Sequence, residues 1–319
     1  MTQDVYLKNL EAPTRIVDAV LDTDAYNEID DQFAIAYLLK NQDRIRIRGF
    51  CAAPFFNEKS ISPADGMEKS YHEIKKVLEL AGYAHRNFPV CRGSSSYLPD
   101  ENTPAASEAA DFLVEISKNY TSNNPLYILA IGAITNVASA FLKCPDMKER
   151  TVVVWLGGHS LHHCDTVEFN MKQDIAAARV MFGCGVPLVQ LPCVGVIELL
   201  NTTRYELEHW LVGKNPLADY LAHNTIELAE SYAAGLPWSR TIWDVSAVAW
   251  LVNDRQRFLS YRTIPAPIPE YNGQYTIDRD RHPISYVVMS TATLCWLICF
   301  KSLILDFSMP NVLYSRKRS

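Results

Sequence analysis

The chain has 319 residues, is 48% hydrophobic and carries a formal net charge of −6 at pH 7. A chain of this length buries roughly three-quarters of its unfolded surface, and its negative charge without a long basic run argues against nucleic acid as a partner. The eight cysteines show no paired metal-ligand spacing, which favours reduced thiols in the cytoplasm over a disulfide framework.

Apolar runs of strand length and of helix length alternate along the chain. The strand-like runs cover 16–21, 45–53, 126–131, 151–156 and 188–192. The helical runs cover 33–39, 67–81, 105–120, 136–142, 175–182 and 203–211. This alternation predicts an α/β fold with a mostly parallel central sheet flanked by helices on both faces. Because no repeat or flexible linker interrupts the pattern, we expect a single domain over residues 1–319.

Neither end of the chain predicts a membrane anchor. The start lacks a cationic segment followed by an apolar one, so we expect no secretory signal. The apolar stretch 293–305 is too short and too interrupted to span a bilayer. We therefore expect no membrane partner.

Four aspartates lie in the first strand-to-helix connection: Asp22, Asp24, Asp30 and Asp31. Open α/β sheets place their ligands at the carboxyl ends of strands. Carboxylates this close raise one another's pKa unless a cation lies between them, and Ca²⁺ takes roughly 6–8 oxygen ligands. The loop therefore predicts a metal site. The alternative is that Asp30 caps the helix and that the other carboxylates are solvated.

Two further segments place polar side chains at predicted strand ends. Thr135 and Asn136 stand where a strand meets a helix, on the same sheet edge as the aspartates if the strands are parallel. A simple helix cap is the alternative for this pair. Asp244 opens a later apolar helix, where a lone aspartate is also most often a cap.

The segment 154–170 follows a Gly-Gly turn with groups that can bind sugar hydroxyls, transfer protons or hold a metal. These residues are His159, His162, His163, Asp165, Glu168 and Asn170. Zinc is the less favoured ion here, because the spaced Cys or His set of a structural zinc site is absent and the other candidate ligands are oxygens.

Taken in order, these segments resemble the inosine-uridine-preferring nucleoside hydrolase family, as a divergent member of bacterial type. The matching motifs are Asp22-Thr-Asp24 with Asp30-Asp31, Ile134-Thr-Asn-Val-Ala, Gly157-Gly158 with Glu168-Phe-Asn170, and Asp244-Val-Ser-Ala-Val-Ala. The resemblance is strongest over residues 15–255. It implies Ca²⁺-dependent hydrolysis of a ribonucleoside to ribose and free base, by a homodimer or homotetramer with a nucleoside-hydrolase-like fold.

The resemblance also implies roles for individual residues. Calcium would be held by Asp24, Asp31, Asp244 and the backbone carbonyl of Thr135. Asp24 would act as general base, while Asp22 would support the loop. The ribose would be bound by Asp30, Asn57, Glu168 and Asn170. For Asn57 a turn role after its strand stays open.

Three features depart from the family pattern. The opening loop is longer, so Asn27 and Glu28 could enter the pocket and change which sugar fits. Trp243 stands where many members have a proton-donating histidine; its ring could stack on a purine. His159 or His162 could then supply the proton, although both could equally be hydrogen-bonded loop residues. The tail after residue 286 turns apolar and then basic, for which a frameshift or an artefact at the end is one hypothesis.

Two other functions remain open at this point. Asp22-Thr-Asp24 also resembles haloacid-dehalogenase-like phosphatases, but Tyr26 stands where that family has Thr or Val. The more serious alternative is a relative of the hydrolases that acts on or binds a different ribosyl or sugar ligand, with little or no nucleoside turnover.

Overall fold

The computed structural model describes residues 1–291 and Leu303. Its strands, numbered along the chain, are β1 (Val17–Thr23), β2 (Ile45–Ala52), β3 (Val90–Cys91), β4 (Leu126–Ala130), β5 (Thr151–Leu156), β6 (Leu188–Leu191), β7 (Asn201–Thr202), β8 (Arg240–Thr241), β9 (Leu259–Pro265), β10 (Ile268–Pro269), β11 (Tyr275–Thr276) and β12 (Pro283–Ser290). Its helices are α1 (Gln3–Asn9), α2 (Asp31–Lys40), α3 (Pro63–Leu80), α4 (Glu108–Ser117), α5 (Thr135–Lys143), α6 (Phe169–Gln173), α7 (Ile175–Gly183), α8 (Arg204–Trp210), α9 (Pro216–Ala233) and α10 (Val245–Leu251).

The central sheet has the strand order β3-β2-β1-β4-β5-β6-β12-β9 within the described residues. Its strands run parallel except that β12 and β9 pair antiparallel. The predicted α/β fold with a mostly parallel sheet is therefore confirmed. The carboxyl ends of β1, β4, β5 and β6 meet at one edge, which brings the segments that follow them together.

Two hydrophobic cores cover the two faces of the sheet, because successive side chains of a strand point to opposite faces. Val17, Ala19 and Leu21 of β1 pack into the core that also takes up α2, α3, α9 and α10. Val20 of the same strand packs into the other core, with α4, α5 and α7. Burial on both faces explains why the central strands are apolar throughout.

The five predicted strands are present, and their ends differ from the predicted bounds by at most two residues. The first strand continues past Leu21 to Thr23, since Asp22 and Thr23 pair with Cys51 and Ala52 of β2. Asp22 therefore lies in the strand rather than in the loop after it. The hydrophobic pattern did not predict α1, α9, β9 and β12, or the short elements β3, α6, β7, β8, β10 and β11. The edge strand Leu259–Pro265 and its antiparallel neighbour Pro283–Ser290 mix polar and apolar side chains, as is typical of antiparallel strands.

Among the residues that the structure describes, no helix is both long enough and apolar enough to cross a bilayer. The apolar stretch 293–305 and the basic end of the tail lie outside the described residues, except for Leu303, which is buried.

Candidate active site

Three buried aspartates converge where helices α2 and α10 begin. Carboxylate oxygens of Asp30, Asp31 and Asp244 all lie within 4.8 Å of one another. Asp30 and Asp244 occupy the N-cap positions of these helices, yet neither side chain makes a capping hydrogen bond. Neither side chain therefore acts as a helix cap. The carboxylates lie close to one another instead.

The cluster holds more negative charge than its surroundings compensate. The Thr23 hydroxyl donates to Asp31 Oδ1 at 2.5 Å. Burial raises the pKa of Asp31 to about 6, although the hydrogen bond from Thr23 acts to lower that pKa. Burial also raises the pKa of Asp30 and Asp244, and the neighbouring carboxylates add to both shifts. Ionisation of all three carboxylates is therefore opposed unless a cation lies among them.

Asp22, in β1, and Asp24, directly after the end of β1, are both buried but face different neighbours. No hydrogen bond reaches the buried Asp24 Oδ2 from any described residue, and Asp24 lines the cavity. Asp22 Oδ1 accepts from Asn136 Nδ2 at 2.8 Å, and burial raises the pKa of Asp22 to about 7. Gly132 makes the approach to Asp24 possible, since a Cβ there would lie 2.7 Å from Asp24 Oδ1.

Thr135 and Asn136 open helix α5 without capping it. The Thr135 hydroxyl donates to Asp174 Oδ2 at 2.6 Å. The Asn136 amide also donates to the carbonyl of Ala52 at 3.1 Å. The two side chains therefore tie the start of α5 to neighbouring elements, and neither lines the cavity.

A cavity of about 220 Å³ opens at this edge of the sheet. Its carboxylates are Asp24, Glu28, Asp30, Asp31, Glu168 and Asp244. Its other polar or aromatic residues are Asn27, His159, Phe169, Asn170, Cys193 and Trp243. The cavity therefore combines an acidic floor with aromatic and apolar surfaces.

Glu168 and Asn170 line the cavity, and both are also held by the backbone. Glu168 accepts hydrogen bonds from the N–H groups of Gly158, Asn170 and Met171 at 2.8–3.0 Å. The Asn170 amide donates to the carbonyls of Ile131 and Leu156, which follow β4 and end β5. Glu168 is thus the cap of α6 as well as a wall of the cavity.

Asn57 and His162 do not line the cavity. Asn57 Oδ1 accepts from the Lys59 N–H at 2.9 Å, as in a side-chain-stabilised turn, and its amide donates to Asn27 at 2.6 Å. It therefore contacts the cavity through Asn27. His162 is exposed. Of the two histidines considered as proton donors, only His159 lines the cavity, and burial lowers its pKa.

The longer opening loop reaches the cavity through Asn27 and Glu28. Glu28 forms an ion pair with Arg240 of β8, which was not among the predicted site residues. No motif distinguished Arg240. Cys193 was missed as well, although it follows β6 and could have been found from the rule that ligands lie at strand ends.

The profile of the inosine-uridine preferring nucleoside hydrolase family matches residues 19–293. The chain belongs to this family. A non-specific ribonucleoside hydrolase of Escherichia fergusonii is 23% identical over 234 residues, which are 66% of this chain and 75% of that protein. An uncharacterised protein of Schizosaccharomyces pombe is 29% identical over 154 residues, 40% of this chain. This alignment spans 48% of the yeast protein, about half its length.

The solved structure of a plant nucleoside hydrolase has the same fold. It superposes with a TM-score of 0.71 at 18% identity, covering 90% of this chain and 99% of the plant chain. The family match confirms the resemblance inferred from the motifs. Members of the nucleoside hydrolase family are N-glycosidases. The acidic cluster of Asp30, Asp31 and Asp244 could hold a metal ion.

Proposed function

We propose that this protein hydrolyses the N-glycosidic bond of a ribonucleoside or related N-riboside to ribose and free base, with Ca²⁺ as its metal. Membership of the nucleoside hydrolase family supports the reaction class. The observation that carries the proposal is the convergence of Asp30, Asp31 and Asp244 with Asp24 in one buried cavity. Ionisation of so many buried carboxylates is unfavourable unless a cation binds among them, and the same carboxylates favour a cationic transition state.

The donor set fits calcium. The candidate ligands Asp24, Asp31 and Asp244 line the cavity and are hard oxygen donors of the kind that Ca²⁺ prefers. The Thr135 carbonyl, which the family resemblance implies as a further ligand, belongs to a residue that does not line the cavity. The unpartnered Asp24 Oδ2 is a buried oxygen of the kind that a bound cation satisfies. When bound, the ion supplies Lewis acidity that makes a water more nucleophilic near neutral pH.

The chain's own residues perform the remaining steps. Asp24 takes a proton from the attacking water, because it lines the cavity together with the other candidate ligands of the ion. Asp30, Glu168 and Asn170 orient the ribose hydroxyls, with Asn57 acting through Asn27. As the C–N bond breaks, positive charge develops on the sugar ring. The surrounding carboxylates stabilise that charge more than the neutral substrate.

The departing base needs a different partner. Trp243 lines the cavity and offers a ring on which a purine can stack. His159 lines the same cavity and donates a proton to the base. His162 would need to turn inward to take that role. We also expect a homodimer or homotetramer in the cytoplasm, in keeping with the family resemblance and the cysteine usage.

The test is release of reducing sugar from a panel of purine and pyrimidine ribosides, with EDTA and with Ca²⁺ restored. We expect turnover that Ca²⁺ restores and that Asp24→Asn abolishes. Asp43→Asn, an exposed aspartate away from the cavity, should retain wild-type turnover. Bound Ca²⁺ without turnover of any riboside would refute the nucleoside assignment and favour the alternative, a different ribosyl or sugar ligand.

A further inference from the structure

A second group of potential metal ligands lies beside the acidic cavity. Ligand atoms of His159, His163 and Asp165 all lie within 4.8 Å of one another. The two imidazole rings have centroids 4.5 Å apart. The group stands on the connection between β5 and α6, with His159 lining the cavity and His163 exposed. It contains none of the aspartates that converge on the cavity floor.

The loop holds these side chains in place through backbone contacts. The His163 N–H donates to the Ser160 carbonyl at 2.8 Å, and Asp165 Oδ1 accepts from the Val167 N–H at 2.9 Å. The turn begins at Gly158, whose φ of +76° is a conformation that favours glycine. A cluster with a fixed backbone loses less freedom when an ion binds.

The chemistry of this group differs from that of the aspartate cluster. Two imidazole nitrogens with one carboxylate suit first-row transition ions such as Zn²⁺ and Co²⁺, whereas Ca²⁺ prefers oxygen alone. The Cys164 thiol lies 3.4 Å from Asp165 Oδ2 and 3.8 Å from His163 Nδ1, beside the cluster but not part of it. The folded loop therefore brings together donors that suit zinc, although the sequence lacks the spacing of a zinc motif.

We propose that His159, His163 and Asp165 form a separate site for a transition-metal ion such as Zn²⁺ at the mouth of the acidic cavity. An ion there occupies a ring nitrogen of His159 and places positive charge on the wall of the cavity. While an ion is bound to that ring nitrogen of His159, the same nitrogen cannot donate a proton to the departing base. The site therefore gives transition metals a way to act on the cavity without displacing an ion from the aspartates.

The experiment titrates the full-length chain, saturated with Ca²⁺, with Co²⁺ and follows the visible absorption of the bound ion. We expect one Co²⁺ per chain, retained in excess Ca²⁺ and displaced by Zn²⁺. His163→Ala and Asp165→Ala should each weaken binding by at least about tenfold. His162→Ala is the matched control, because it removes a histidine of the same loop that is outside the cluster, and its Co²⁺ affinity should be unchanged.

Three results would overturn the proposal. One is equal Co²⁺ binding by His163→Ala and wild type. Another is displacement of Co²⁺ by Ca²⁺, which would put the ion at the aspartates. The third is loss of binding in Cys164→Ser but not in His163→Ala, which would mean a thiol adduct. Far-ultraviolet circular dichroism of each variant establishes that it is folded, and His163→Gln repeats the test with a larger side chain.

Discussion

The backbone N–H of Trp243 donates to Asp30 Oδ2 at 3.0 Å. This bond joins the entry to α10 with the entry to α2, two points more than 200 residues apart in the chain. It orients a carboxylate of the acidic cluster and fixes the backbone of the aromatic residue that lines the same cavity. This hydrogen bond therefore connects Asp30, on the proposed sugar-binding side of the site, with Trp243, on the proposed base-binding side.

Trp243→Ala should lower kcat/KM for purine ribosides by about tenfold or more, because stacking of a base on an aromatic ring contributes roughly 1–3 kcal/mol. Pyrimidine ribosides, with a smaller ring, should lose less. Steady-state kinetics on matched purine and pyrimidine substrates measures the difference. Trp243→Phe keeps an aromatic face and should recover most of the purine preference. An equal loss for both substrate classes would argue against stacking.

His159→Ala should lower kcat for nucleosides by about 10²–10⁴, the usual contribution of a general acid. A 4-nitrophenyl riboside has a leaving group that needs no proton, so its hydrolysis should be nearly unaffected. His162→Ala serves as the comparison from the same loop. If both substrates slow equally in His159→Ala, the residue positions the sugar rather than protonating the base.

The same residue predicts a pH dependence. Burial lowers the pKa of His159 below its ordinary value of 6.5. Because a general acid must carry its proton, nucleoside turnover should fall as pH rises through that lowered pKa. The pH profile of kcat for a nucleoside checks this, and the 4-nitrophenyl riboside should not show the same fall. An identical alkaline limb for both substrates would contradict the assignment.

The ion pair between Arg240 and Glu28 fixes the long opening loop against β8. Burial raises the pKa of Asp30, and Glu28 raises it further. Arg240→Met should raise KM, because it leaves the charge of Glu28 uncompensated beside Asp30. Glu28→Gln in the same chain should restore part of the loss. The Glu28 side chain is 41% exposed, so solvent screening limits the coupling to roughly 0.5–1 kcal/mol. A double-mutant cycle on kcat/KM measures it, and strict additivity would mean that the pair does not position the loop.

Metal removal should make stability depend on pH in a defined direction. Burial raises the pKa of Asp22 to about 7 and of Asp31 to about 6, from ordinary values of 3.8. Between pH 3.8 and about 7 the folded state therefore binds more protons than the unfolded state. Stability of the protein in EDTA should fall as pH rises through this window.

Calcium should reverse this trend, since it binds the deprotonated carboxylates. The increase in Tm on adding Ca²⁺ should be larger at pH 8 than at pH 5. Thermal unfolding followed by circular dichroism measures both series. Asp31→Asn should reduce the Ca²⁺-dependent increase at either pH. A Ca²⁺ effect that is the same at pH 5 and pH 8 would mean that these carboxylates are not its ligands.

Much of this fold and site was predictable because the signals are local. Five apolar runs predicted the central strands, and the clustered aspartates predicted an acidic site at a strand end. Strands β9 and β12 were not predicted, because this antiparallel pair lacks an uninterrupted apolar pattern. Whether Asp30 and Asp244 act as caps also could not be decided locally, since a helix-start aspartate looks the same in both cases.

The sequence by itself determined the α/β class, the order of the motifs and the chemical types that meet in the cavity. Those properties follow from hydrophobic patterning and residue identity, which the chain carries locally. Only the tertiary structure decided which groups meet. It turned His159 toward the cavity and left His162 exposed, and it paired Glu28 with Arg240. Contacts between residues far apart in the chain depend on how the elements pack, and no local pattern encodes them.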